Sequence, residues 1–178
     1  IAQAEGGMYL FAYVPEYGEV RAFAAERIKT LARDRNIRLT VHKGSIEGLV
    51  YCDQQLIRQA LRKLIENAVK FSHPGGTVEI SAQAGDDGSR MLSVRDHGPG
   101  LSVAKLKECL QPFIQDDMSY ARPAGGLGLG LPIAQAIAEA HGGELTCQTA
   151  PGQGMLVTIR LPDRDAFAHP SRSGRAGP

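Results

Sequence analysis

Apolar positions recur along the chain with two periods, near 3.6 and near 2, and the switches between them outline the elements. From Glu16 to Arg35, Val20, Phe23, Ala24, Ile28, Leu31 and Ala32 recur at helical spacing, and Asn36 supplies a stop. IRLTVH (37–42) alternates like a half-buried strand, and MYLFAYV (8–14) and GLVYC (48–52) read as short strands. The clearest helix follows. Asp53 is its N-cap, and Leu56, Ile57, Ala60, Leu61, Leu64, Ile65 and Ala68 form its apolar stripe. It should run to about Phe71, where HPGG (73–76) breaks it. TVEISAQA (77–84) and RMLSVRD (90–96) are strands, and GDDG (85–88) gives them hairpin turn chemistry. PIAQAIAEA (132–140) is a helix stopped by Gly142 and Gly143. ELTCQT (144–149) and MLVTIRLP (155–162) close the pattern around the turn APGQG (150–154).

Between these runs the pattern loosens. Residues 97–126 contain one short helix (Val103–Leu110) and then a polar, proline-containing stretch. An insert of roughly 30 residues within a compact domain is usually functional, often a lid. Residues 1–7 read as the end of a helix closed by glycines, and 163–178 as a loose polar tail. No internal repeat is present. Helices mixed with antiparallel hairpins give the α+β class, a sheet with helices on one face.

Composition narrows the field. A chain of 178 residues fits one domain plus a tail and can bury a substantial core without staples. With 43% hydrophobic and 22% charged residues it has an ordinary soluble composition. The 20 Lys and Arg against 19 Asp and Glu leave +1, so no global charge draws in nucleic acid or an anionic membrane. Any affinity for phosphate must be local. Cys52, Cys109 and Cys147 are odd in number and lack metal-ligand spacing, which argues against a disulfide framework and fits a reducing cytosol. No stretch approaches the ~18 apolar residues of a membrane span, and no signal-peptide pattern opens the chain. A start at Ile1 rather than Met suggests a piece of a longer protein.

Three places carry candidate chemistry. Lys63, Asn67 and Lys70 fall within an arc of roughly 60° on one helix, away from the apolar stripe. An amide oxygen there can ligate a divalent cation and a lysine can offset phosphate charge, although a solvated polar face looks the same. Asp96-His97-Gly98-Pro99-Gly100 sets an acid at a strand end, able to accept a hydrogen bond from an exocyclic amine, before glycines that permit close backbone approach. The plain alternative is an ordinary turn. Gly125-Gly126-Leu127-Gly128-Leu129-Gly130-Leu131 opens a helix, where free N–H groups and the dipole suit an anion, or where glycines serve only as a hinge. The alternating glycines are not GxGxxG, and no strand precedes them, which argues against a dinucleotide fold. GxxxxGK[ST], HExxH, GxSxG and paired CxxC are all absent. His42, His73, His97, His141 and His169 are scattered without metal-ligand spacing.

Taken in order, these pieces resemble one family. LIENAVKF (64–71) is similar to its N box, DHGPG (96–100) to its G1 box, QPFIQ (111–115) to its F box, and GGLGLGL (125–131) with IAQAIAEAHGG (133–143) to its G2 box and helix. PGQGM (151–155) fits the end of the same pattern. The family is the catalytic ATP-binding domain of bacterial sensor histidine kinases, with the Bergerat fold. The resemblance covers residues 8–162, with 101–126 as the lid and 1–7 as the last turn of a preceding dimerisation helix. It implies a two-layer α/β sandwich, with a mixed, mainly antiparallel sheet covered on one face by helices.

On the resemblance, Asn67 ligates Mg²⁺, Lys70 contacts phosphate and Phe71 packs near the sugar or base. Asp96 binds the adenine amino group, Gly98 and Gly100 allow close approach, and Leu101 follows them. Arg122 reaches the γ-phosphate, and the backbone of Gly126, Leu127, Gly128, Leu129, Gly130 and Leu131 holds the phosphates. Asn67, Lys70 and Arg122 are the catalytic set, and ATP and Mg²⁺ the cofactors. The implied activity donates the γ-phosphoryl group to a histidine on a helical hairpin of the parent, for relay to an aspartate of a response regulator. The hairpin domain and the receiver domain are thus the implied partners.

The resemblance also implies a cytoplasmic location, with the parent free or anchored to the inner membrane. No acceptor motif like HELRTPL occurs, so the chain should bind nucleotide without phosphorylating itself, and be monomeric where its parent is a homodimer. Several positions depart from the family. Lys63 stands where a second Asn is usual, Leu127 and Met155 where Thr is common, and Leu110 where Phe is common. A protonated lysine cannot act as a base for hydrolysis. Lys63 therefore motivates a second reading, a degenerate nucleotide-binding signalling module that regulates a partner without transfer. A third, a clamp, chaperone or anti-sigma type of ATPase, is disfavoured by the F box and the HGG ending.

Overall fold

The computed structural model describes residues 10–11, 26–43, 50–111 and 129–163. In chain order the elements are β1 (Leu10–Phe11), α1 (Glu26–Asp34), β2 (Arg38–Lys43), β3 (Val50–Tyr51), α2 (Gln54–Phe71), β4 (Thr77–Ala84), β5 (Arg90–Asp96), α3 (Val103–Cys109), α4 (Gly130–Ala140), β6 (Glu144–Thr149) and β7 (Met155–Leu161). Residues 1–7, most of the 8–14 strand, the first half of the 16–35 helix, the lid beyond Gln111 and the tail beyond Asp163 lie outside the described residues.

The main sheet has five strands in the order β2-β4-β5-β7-β6. Only β2 and β4 run parallel, with Arg38 opposite Thr77; every other pair is antiparallel. A separate antiparallel pair joins β1 to β3. The sheet is therefore mixed and mainly antiparallel, as expected. Its period-2 pattern sends Val78, Ile80, Val94, Val157, Ile159 and Leu161 to the helix-covered face, while Glu79, Arg95 and Thr158 take the other. There Ile28, Ile57, Ala60, Leu64, Ile65, Val69, Leu131, Ala134 and Ile137 complete one core from α1, α2 and α4.

Local chemistry fixes the element ends. The Asp53 carboxylate accepts hydrogen bonds from the N–H groups of Gln55 (2.8 Å) and Leu56 (3.1 Å), capping α2. Asn36 takes φ +55 at the end of α1, a backbone state that asparagine tolerates better than most residues. Two expectations need correction. Leu56 does not join the core stripe and is 38% exposed, whereas Val69 is fully buried. And α4 begins at Gly130 rather than Pro132, with proline inside its first turn, where a missing N–H costs nothing.

Candidate functional site

The helices α2 and α4 lie antiparallel, and two contacts fix them. At one end the Asp53 N–H donates to His141 Nε2 at 2.9 Å, while His141 Nδ1 bonds the Ile137 carbonyl at 2.7 Å. A backbone N–H can only donate and a carbonyl only accept. The ring is therefore the neutral Nδ1–H tautomer, a strut between the start of α2 and the end of α4. At the other end, the Asn67 amide lies against Gly130: a methyl placed there would stand 2.5 Å from Asn67 Nδ2 and 3.1 Å from Oδ1. This brings the half-buried Asn67 amide to the first turn of α4. Leu129, the N-cap, makes no side-chain capping bond.

The end of α2 meets the end of β5. Asp96 is the last residue of β5 and only 8% exposed. Its Oδ1 accepts from the N–H of Gly98 (2.9 Å) and of Met155 (3.2 Å), and Oδ2 takes no hydrogen bond among the described residues. Burial pushes the Asp96 carboxyl above its ordinary value, against the pull of the two backbone bonds. Gly98 packs so closely on the Phe71 carbonyl that no side chain fits between them. Gly100 packs on the Ala150 carbonyl and Gly154 on that of Asp96. The close approach that the G1 glycines allow is thus to the protein's own backbone. Thr149 finishes the corner, accepting from the Leu101 N–H (2.9 Å) and donating to the Gly154 carbonyl (2.7 Å).

On the helix edge, Lys70 Nζ sits 5.0 Å from the centroid of the Phe71 ring, and burial draws its ammonium below the ordinary value. Phe71, whose backbone carbonyl meets Gly98, remains 46% exposed. Lys63 Nζ lies 3.5 Å from Glu66 Oε2. His97 turns to the opposite face of the sheet, bonding Glu79 Oε1 at 2.9 Å, and His42 lies 3.4 Å from the other Glu79 oxygen. That histidine bond holds the Glu79 carboxyl below its usual range.

Of the expected site residues, Asn67, Lys70, Phe71, Asp96, Gly98, Gly100, Leu101, Leu129, Gly130 and Leu131 are described. They come from the end of α2, the 96–101 corner and the start of α4. The Leu131 side chain points into the core. Arg122, Gly126, Leu127 and Gly128 lie outside the described residues. Thr149, Gly154 and the Met155 N–H shape the same corner without having been singled out as site residues. The signal for Gly154 and Met155 was the PGQGM turn; nothing local marks Thr149.

The chain is thus an α+β sandwich in which two antiparallel helices carry a polar edge and a buried carboxylate ends a strand. The chain belongs to the histidine kinase-, DNA gyrase B- and HSP90-like ATPase family, which matches it over residues 52–165. Among its relatives are sensor histidine kinases. A sensor-like histidine kinase of Rhizobium meliloti (strain 1021), itself uncharacterized, is 33% identical over 91% of this chain and 31% of its own length. Sensor histidine kinase YkoH of Bacillus subtilis (strain 168) is 38% identical over 74% of this chain and 28% of its own length. The chain thus spans about a third or less of these relatives. In structure it is similar to full-length ShkA in complex with AMPPNP (TM-score 0.71, 29% identity, 87% of this chain and 31% of that one). It is also similar to the mycobacterial sensor histidine kinase MprB (TM-score 0.66, 27% identity, 80% of this chain and 95% of that one).

Proposed function

We propose that residues 8–162 form the catalytic ATP-binding domain of a two-component sensor histidine kinase, with 101–126 as its lid. It would bind Mg-ATP and donate the γ-phosphoryl group to a histidine on a separate helical hairpin of the longer protein. The bond from the γ-phosphorus to its bridging oxygen breaks, a P–N bond to the histidine forms, and ADP leaves. A response-regulator aspartate then takes the phosphoryl group. The observation that supports this reading is that the Asn67 amide lies against Gly130 in the first turn of α4, while the other end of the same helix segment, at Phe71, packs its carbonyl on Gly98, whose N–H bonds the buried Asp96.

Each group has a chemical task. Asp96 Oδ2 accepts from an exocyclic amine of the base. The exposed face of Phe71 offers stacking or apolar contact to the base or sugar. The first turn of α4 attracts phosphate. Lys70, three residues beyond Asn67 on the same helix edge, offsets phosphate charge. No cluster of three His, Cys, Asp or Glu able to hold a metal occurs among the described residues. That fits Mg²⁺, which keeps several waters and binds through few protein ligands together with phosphate oxygens. The Asn67 amide oxygen would be the protein's ligand. Phosphoryl transfer asks mainly for positioning and charge stabilisation, which Lys70 and a cation held at Asn67 would supply.

The test is a calorimetric titration with ATP and ADP, each with and without Mg²⁺, followed by addition of the parent's hairpin. Binding that Mg²⁺ strengthens, then phosphohistidine on the hairpin, is expected. Absence of binding at millimolar nucleotide would overturn the reading. Binding without transfer would favour the regulatory module that Lys63 motivates.

A further inference from the structure

We propose that Gly130 is a positioning residue for Asn67: the bare α-carbon opening α4 fixes the orientation of the Asn67 amide and, through it, the cation-dependent part of nucleotide affinity. This rests on the functional reading above. Gly130 does not adopt a positive φ, so its backbone conformation is open to any residue. Glycine in place of alanine also weakens a helix by about 1 kcal/mol in its interior. What glycine provides here is space. A β-carbon would meet Asn67 Nδ2 at 2.5 Å, Oδ1 at 3.1 Å and Cγ at 3.2 Å, so the whole amide group lies against the α-carbon.

The surroundings decide which side yields to an added methyl. The helix α4 is held by the His141 strut to Asp53 at its far end and by the buried Leu131 and Ala134 near its start. The Asn67 amide is only half-buried and turns about two side-chain bonds. It therefore yields first, and its oxygen leaves the orientation that the glycine enforces. Groups that orient a metal ligand are commonly worth about 10–100-fold in metal affinity.

The experiment uses the full chain and four forms: wild type, Gly130→Ala, Asn67→Ala and the double variant. ATP affinity is measured with Mg²⁺ and with EDTA, thermal unfolding is recorded, and the Asn67 side-chain NH₂ signals are followed by ¹⁵N NMR without nucleotide. In Gly130→Ala the gain in affinity from Mg²⁺, read as the ratio of the affinities with Mg²⁺ and with EDTA, should fall about tenfold. Its Asn67 NH₂ signals should move before any ligand is added. The double variant should match Asn67→Ala, the non-additivity expected when one residue acts through another. A Mg²⁺ gain retained in Gly130→Ala overturns the proposal, as does an equal loss with and without Mg²⁺. Wild type that binds no nucleotide at all instead overturns the functional reading itself.

Discussion

Asp96 is a carboxylate whose ionised form the fold disfavours. Burial raises its pKa more than the N–H groups of Gly98 and Met155 lower it. A carboxyl raised on folding stabilises the native state fully below its ordinary value of 3.8, and that contribution is lost as pH rises through the raised value. At neutral pH the ionised Asp96 is thus a net burden to stability, and the proposed contact to an exocyclic amine would account for it. Asp96→Asn should therefore melt at the same temperature as wild type or higher at pH 7, with the difference shrinking toward pH 4. The same variant should lose nucleotide binding by calorimetry, since its amide presents an N–H donor to an amine. Glu79 has the opposite sign. Its pKa is lowered by the His97 bond, so its contribution is present above 4.5 and is lost as pH falls. Asp96 stood out in the sequence as an acid at a strand end. Its partner Met155, 59 residues away, was marked only as the end of the PGQGM turn, because no local pattern records how β5 registers with β7.

At the scale of elements, the pair α2 and α4 carries much of the proposed site. The boundaries of α2 were legible because cap, stripe and breaker all agree in sequence. The start of α4 was not. LGLGLP reads as loop by propensity, and packing against Asn67 extends the helix back to Gly130 in spite of it. The apolar stripe of α2 was drawn one residue too wide at Leu56, since periodicity alone does not say where the covering layer ends. His141 was legible only as one of five scattered histidines, and its role as a strut is tertiary. His141→Ala should remove the bonds to Asp53 N–H and the Ile137 carbonyl and cost about 1–3 kcal/mol, read as a lower melting temperature. The corner beneath Asp96 is equally demanding. Gly154 has φ +68 and leaves no room for a β-carbon beside the Asp96 carbonyl. Gly154→Ala should destabilise by more than 1 kcal/mol and weaken nucleotide binding as well, measured by urea unfolding and by titration.

Across the whole molecule, the class and the buried face of the sheet were readable from period alone. The order β2-β4-β5-β7-β6 was not, because the parallel β2–β4 contact and the insertion of β7 between β5 and β6 depend on long-range packing. That order also places the two halves of the chain side by side. The central seam pairs β5 with β7 from Arg90–Leu161 to Asp96–Met155, and α2 lies on α4 above it. The proposed site follows the same division: Asn67, Lys70, Phe71 and Asp96 come before the 112–128 connection, and Gly130 and the Met155 N–H after it. A chain interrupted between Met118 and Ser119 leaves uncut every strand pair and both helix contacts among the described residues. The halves, produced separately, should associate, with apparent affinity rising as nucleotide is added, because a ligand held by both favours the joined form. Fused to the two parts of a divided fluorescent protein, they would turn this domain into a sensor whose light reports the nucleotide level in a cell.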